Sequence, residues 1–257
     1  MTMSDINIIP IGSGSTGNSF FIEILDRSFL IDMGMGYRSV TKSLEKNGRK
    51  TEDIEAIFVT HGHNDHVKAC VAVGNHTDCI VYADASAMYP IREMKSEKKD
   101  IILNEEFEAL PGLYVKAFGV PHDYYRTVGY VFRNGNRKLS YVTDCGKMSD
   151  RIIDEIKGSD VIIIEANHDI EMLKSGPYPI FLKKRILSEH GHLSNDECAE
   201  TIKSLYEAGT RNFILAHLSR HNNTPEIALD TVKKKMKDKD IFLHACKEAS
   251  DELLVFD

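Results

Sequence analysis

The chain has 257 residues, and 32 Lys and Arg against 39 Asp and Glu give a formal charge of −7. A hydrophobic share of 42% with a charged share of 28% excludes intrinsic disorder and fibrous repeats, and the acid excess excludes a broad basic footprint of the histone kind. The length suits one domain, residues 1–257, with a sizeable core. In chain order, residues 6–11 read as a strand and residues 12–18 as a turn of small residues. Residues 19–25 and 28–31 read as a hairpin about Asp26-Arg27. Residues 37–47 read as a helix with Val40 and Leu44 on one face and Gly48 as its stop. Residues 54–59 and 79–82 read as strands on either side of a helix at 67–73, and 113–119 as a further strand. Residues 127–133 and 138–143 form a hairpin pattern whose turn is Asn134-Gly135. Residues 160–164, 211–216 and 241–244 read as strands. They alternate with helices that start at the capping box Ser194-Asn195-Asp196-Glu197 and at Pro225. The most linker-like stretch is 96–100. The pattern predicts an α/β protein: an αββα sandwich of two mixed β-sheets with outer helices.

Five cysteines, an odd number with no CxxC pair, argue against a disulfide framework or a zinc ribbon. No aliphatic run approaches a membrane span, and Met1 to Asp5 show no signal-peptide pattern. A reducing cytoplasm is therefore the expected location. Gly12-Ser13-Gly14-Ser15-Thr16-Gly17 satisfies GxGxxG, and Asp32 lies near the distance of a ribose-binding acid. That motif binds a dinucleotide only where it opens a helix onto the pyrophosphate, whereas here a strand pattern follows. The loop keeps two readings: a tight turn, or a site where backbone N–H groups with Ser13, Ser15 and Asn18 receive an anion.

The densest chemistry is Thr60-His61-Gly62-His63-Asn64-Asp65-His66, directly after an apolar strand. Three imidazoles and a carboxylate in six residues do not suit a core, where unpartnered polar groups cost several kcal/mol each. They are the ligand types of zinc-like metals. On an extended turn His61 and His63 point the same way toward one ion, and Asp65 and His66 turn toward a second.

HxHxDH after a strand resembles the signature of the metallo-β-lactamase superfamily. By that resemblance, His122 in Gly-Val-Pro-His is the third ligand of the first ion, Asp144 the carboxylate bridging both, and His217 the last ligand of the second. Asp32 in Leu-Ile-Asp-Met-Gly supports the metal loop from behind. The words GSGSTGN (12–18), EANHD (165–169), GHLSN (191–195) and AHLS (216–219) resemble the YycJ/WalJ-type branch. The branch implies phosphodiester hydrolysis, with a 5′ exonuclease activity on DNA. Two divalent ions, zinc or manganese with iron also fitting the ligands, would sit about 3.5–4 Å apart and supply a hydroxide nucleophile.

Glu165 ends an apolar strand, where a charge needs a function or a partner. His192 follows a glycine just before the capping box. By resemblance the pair forms the general acid for the leaving oxygen, while Asp65 serves both as ligand and in catalysis. The bland alternative for His192 is help at the helix start. His168 reads equally as an orienter of ligands or a helix-start residue, and it also stands among the candidate substrate or phosphate contacts. Ser219 and His221 could touch a phosphate, as could Lys183 and Arg185 on a basic run, or these four could line solvated surface. Tyr124, Tyr125, Tyr178 and Phe181 could stack a base or simply cover the core. Cys145 follows Asp144 where relatives often carry threonine, so a thiol could enter the metal shell. Only 73 positions separate Asp144 from His217, which leaves no room for a large nucleic-acid-clamping insertion.

The leading expectation is a dinuclear-metal phosphodiesterase acting on nucleic acid, DNA foremost, with no membrane partner and with a homodimer permitted. The rivals are a small-molecule hydrolase (cyclic phosphodiesterase, thioesterase or lactonase) and a metal-dependent binding module without catalysis.

Overall fold

The computed structural model describes residues 5–257 except 238. Fourteen strands and nine helices are assigned among them. In chain order the first strands are β1 (Ile6–Gly12), β2 (Ser19–Ile24), β3 (Arg27–Ile31), β4 (Ala56–Phe58), β5 (Ile80–Ala83) and β6 (Lys98–Asp100). They continue as β7 (Glu106–Leu110), β8 (Leu113–Val120), β9 (Thr127–Asn134) and β10 (Arg137–Val142), and end with β11 (Val161–Glu165), β12 (Asn212–Ala216), β13 (Phe242–Ala245) and β14 (Leu254–Phe256). One seven-stranded sheet has the order β14-β1-β2-β3-β4-β5-β6, and a second the order β13-β12-β11-β10-β9-β8-β7. Both are mixed. Antiparallel pairs run from β14 to β3 and between β7 and β8. Parallel pairs run from β3 to β6 and from β10 to β13.

The chain divides into two compact units. The first comprises the residues up to Ala117 with Phe132–Arg137 and Glu248–Asp257; the second comprises Phe118–Val131 and Lys138–Lys247. In the first, helices α1 (Tyr37–Lys46), α2 (Asn64–Val67), α3 (Cys70–Gly74) and α4 (Ala85–Met88) accompany the first sheet. Both sheet faces are apolar, as expected of strands covered on two sides. On β3, Leu30 packs with Val40 and Leu44 of α1, and Phe29 points the other way, stacked on Phe132 with ring centroids 4.5 Å apart. Each such buried side chain contributes about 1.5–3 kcal/mol. The expected helix at 67–73 is broken at Ala69, whose N–H donates to the Met33 carbonyl instead of continuing a helix. The linker-like stretch 96–100 holds an edge strand, β6, whose three charged residues suit a sheet margin.

In the second unit, α5 (Asp150–Ile156), α6 (Ile170–Ser175), α7 (Ile180–Ile186), α8 (Asn195–Glu207) and α9 (Pro225–Met236) accompany the parallel strands. Val142, Ile162, Ile164, Phe213 and Leu215 form one core with Cys198, Ile202 and Val232 of the helices. α8 starts at the expected capping box: Glu197 N–H donates to Ser194 Oγ, and Ser194 N–H donates to Glu197 Oε2. The GxGxxG turn runs straight into β2, so no helix N-terminus is available for a pyrophosphate. The five cysteines are buried thiols. No helix among the described residues is long and apolar enough to cross a membrane.

Candidate metal centre

Three acid or imidazole groups stand just past a strand in left-handed backbone conformation: Asp32 after β3 (φ 59°), Asp144 after β10 (φ 51°) and His217 after β12 (φ 57°). That region is costly for side chains other than glycine, on the order of 1–3 kcal/mol each, and persists where surrounding structure enforces it. At each position it ends the strand and turns a side chain off the sheet margin. The enforcing contacts are visible. Asp32 N–H donates to the Phe58 carbonyl, and the Asn167 amide donates to the His217 carbonyl at 2.8 Å.

In the first unit, His61 Nε2 and His63 Nδ1 lie 2.9 Å apart. Two imidazole nitrogens aimed at one point fit a shared cation. His66 is fully buried, and its Nδ1–H donates to Asp32 Oδ2 at 2.7 Å. Asp32 also accepts from Thr60 N–H at 2.8 Å and from Thr60 Oγ1. Burial pushes the Asp32 carboxyl above its ordinary value, while His66 pulls it down. A carboxylate holding one imidazole nitrogen fixes the tautomer and leaves the other nitrogen to coordinate. Asp65 is partly exposed and stands 3.5 Å from His66 Nε2.

The residues expected to receive an anion divide. Ser13 is buried and Ser15 exposed. Asn18 is fully buried and turned inward. Its Oδ1 accepts from Gly14 N–H, and its Nδ2 lies 3.0 Å from His66 Nε2. Asn18 therefore braces the metal loop. Gly34 was not singled out by sequence. A Cβ there would lie 1.6 Å from the Asp65 carbonyl and 2.5 Å from Asn18 N, so only glycine lets these segments meet. The readable signal was a glycine two positions beyond a strand-end acid.

In the second unit, ligand atoms of Asp144, Glu165, His192 and His217 all lie within 4.8 Å of one another. Parallel pairing explains the gathering, because Val142 faces Ile164 and Glu165 faces Ala216 in register. Strand ends therefore share one margin of the sheet. Glu165 is the hub. Its Oε1 accepts from both His192 Nδ1 and His217 Nδ1 at 2.8 Å, and its Oε2 accepts from the N–H groups of Cys145 and Leu193. Burial alone would raise this carboxyl. His192 and His217 outweigh it and hold the group at about 2. His122 Nε2 is 3.6 Å from Asp144 Oδ1. Burial keeps the His122 imidazole below its ordinary value, hence neutral as a ligand must be, against the pull of Asp144. The donor set of each unit, imidazole with carboxylate, fits a divalent cation.

Several expectations change here. Sequence pairs Glu165 with His192 alone, whereas the same oxygen also orients His217. Cys145 is a buried thiol whose Sγ–H donates to the Lys147 carbonyl, and burial pushes its pKa well up, so it is not poised as a thiolate ligand. The helix-start role considered for His168 belongs to Asp169, whose Oδ1 accepts from Met172 N–H. Lys183 donates to the Lys174 carbonyl, and Arg185 is paired with Asp123. Ser219 accepts from the Asn222 amide, and His221 is exposed beside Tyr178.

A beta-lactamase superfamily domain matches residues 27–218. The chain is 34% identical over 233 residues to exodeoxyribonuclease YycJ of Bacillus anthracis, covering 89% of this chain and 88% of the relative. It is 33% identical over 237 residues to exodeoxyribonuclease WalJ of Streptococcus pneumoniae, covering 90% and 88%. The metallo-β-lactamase fold protein YhfI of Bacillus subtilis superposes with a TM-score of 0.74 at 16% identity, covering 97% of this chain and 99% of that one. That likeness shows the αββα metallo-β-lactamase fold. The chain belongs to the metallo-β-lactamase superfamily, in the branch that holds the YycJ and WalJ exodeoxyribonucleases.

Proposed function

We propose that the protein is a dinuclear-metal phosphodiesterase that removes nucleotides from DNA, working as a single 257-residue catalytic domain in the cytoplasm. Following the family pattern, His61, His63 and His122 would hold one ion and Asp65, His66 and His217 the other, with Asp144 as a carboxylate serving both. Zinc and manganese both suit these donors. When bound, such ions polarise the phosphodiester and supply a water nucleophile at neutral pH.

The observation that carries the phosphodiester reading is the double grip of Glu165 on His192 and His217. A carboxylate behind an imidazole keeps its Nδ1–H in place and aims the opposite nitrogen outward. His192 is partly exposed at its outer side, where Nε2–H can reach a substrate oxygen. As the bond from phosphorus to the leaving oxygen breaks, that oxygen takes the His192 proton. An alkoxide needs this proton and a thiolate does not, which favours a phosphodiester over a thioester. Glu165 acts through His192 and is a positioning residue.

The test is hydrolysis of end-labelled duplex DNA by protein loaded separately with zinc and manganese, with Asp144→Asn as the inactive control. Progressive release of labelled mononucleotides, absent in the control, is expected. Intact DNA with continued hydrolysis of an aryl phosphodiester would overturn the nuclease reading and leave a small diester as substrate.

A further inference from the structure

His168 is 1% exposed, yet neither ring nitrogen has a hydrogen-bond partner among the described residues. A buried polar group left unmatched destabilises the fold, so such a group in a folded chain calls for an occupant. His168 lines a cleft of about 200 Å³ that lies wholly within the second unit. That is below the roughly 300 Å³ at which drug-sized pockets begin, and suits one planar ring system. Ile170 and Leu187 supply apolar walls, and Gly146 supplies a flat surface. His192 lines the same cleft, and Asp196 and Glu197 stand at it as carboxylates.

This lining selects a chemistry. Two carboxylates disfavour a phosphate. The neutral His168 ring, held well below its ordinary pKa by burial, offers one donor and one acceptor. Carboxylates accept from exocyclic amino groups of bases, as Glu and Asp do from cytosine N4. Apolar walls receive a π-face without regard to sequence. We propose that this cleft holds the nucleobase of the departing nucleotide, with His168 and the Asp196/Glu197 carboxylates reading its edge and Leu187 and Ile170 flanking its face. The placement follows from His192, which lines the same cleft: in cleavage from the 5′ end, the 3′ oxygen that the general acid protonates belongs to the departing nucleotide. Adenine, cytosine and guanine carry the amino group that the carboxylates accept, and thymine does not. This rests on the nuclease reading for its substrate, while the cleft itself is open to a separate test.

Two measurements on the full chain decide it. The first needs no catalysis: deoxycytidine and thymidine are titrated against the protein while the His168 and His192 ring resonances are followed. Deoxycytidine is expected to shift both, thymidine to shift them less, and Leu187→Arg at the cleft rim to abolish the response. The second compares kcat/KM on duplexes whose terminal nucleotide is cytosine or abasic. A preference of about tenfold for cytosine is expected, carried by KM. It should collapse to about one in both Leu187→Arg and His168→Phe, the latter keeping ring volume should a smaller residue unfold the chain. Ring resonances unmoved by deoxycytidine, or a preference that survives both variants, overturn the proposal. If no DNA is cleaved at all, the nuclease reading fails, and the titration alone decides the cleft.

Discussion

The imidazole and carboxylate clusters of the two units are built by opposite means. In the first unit, His61, His63, Asp65 and His66 come from six consecutive residues after β4, and Asp32 and Asn18 brace them from behind. In the second, Asp144, Glu165 and His217 come from three strand ends that parallel pairing brings to one margin, and His192 joins them from the loop before α8. A local loop can be rebuilt by its own sequence. A gathering of strand ends fails wherever register or hub fails.

The comparison breaks most visibly at the acidic residues. Asp144→Asn should abolish metal-dependent hydrolysis, on the order of 10³-fold or more, since ion-mediated charge stabilisation amounts to several kcal/mol. Metal content by mass spectrometry should fall with it. Glu165→Gln should lower kcat by about 10²–10⁴-fold on DNA, and much less on a 4-nitrophenyl diester whose leaving group needs no proton. It should also weaken metal binding, because His217 loses its orienting partner, whereas His192→Asn should lose only the acid. Equal metal affinity in Glu165→Gln and His192→Asn would refute the double grip. Asp32→Asn tests the first unit alone, and a loss of 10–100-fold in metal affinity is expected from releasing His66.

Smaller effects sharpen the contrast through packing. A Cβ at Gly146 would meet the Glu189 carbonyl at 2.4 Å and Gly191 N at 2.5 Å, both backbone. Gly146→Ala should therefore cost about 1–3 kcal/mol in urea unfolding and displace the loop that delivers His192. The gentlest probe is pH. His168, facing Glu165, His192, Glu197 and Asp169, is held at about 4 by burial, below its ordinary 6.5. The unfolded chain then binds the extra proton first. Stability from this group is full above pH 6.5 and declines as pH falls toward 4. Relative to His168→Phe, the wild type should lose on the order of 1–3 kcal/mol across that window, measured by thermal unfolding without metal.

The HxHxDH loop was legible because ligands close in sequence leave a dense local pattern, and the strand-end acids were legible because an apolar run ending in Asp or Glu is chemically out of place. The capping box at Ser194 and the turn at Asn134-Gly135 were legible because both are set by local hydrogen bonding and backbone freedom. The edge strand β6 was not, since Lys98, Lys99 and Asp100 carry no alternation and pair only because β5 lies beside them. Nor was the inward turn of Asn18, which depends on Asp65 and His66 arriving from 47 and 48 positions away.

Sequence by itself determined which groups this protein has for chemistry: the imidazoles and carboxylates, their chain order, and their places at the ends of apolar strands. Tertiary structure decided which of them touch. One oxygen of Glu165 serves two histidines, Asp169 and not His168 caps α6, and the His168 ring nitrogens have no hydrogen-bond partner among the described residues. The physical reason is that hydrogen-bond partners and burial are set by side chains from distant strands, and register between strands is a property of the packed sheet.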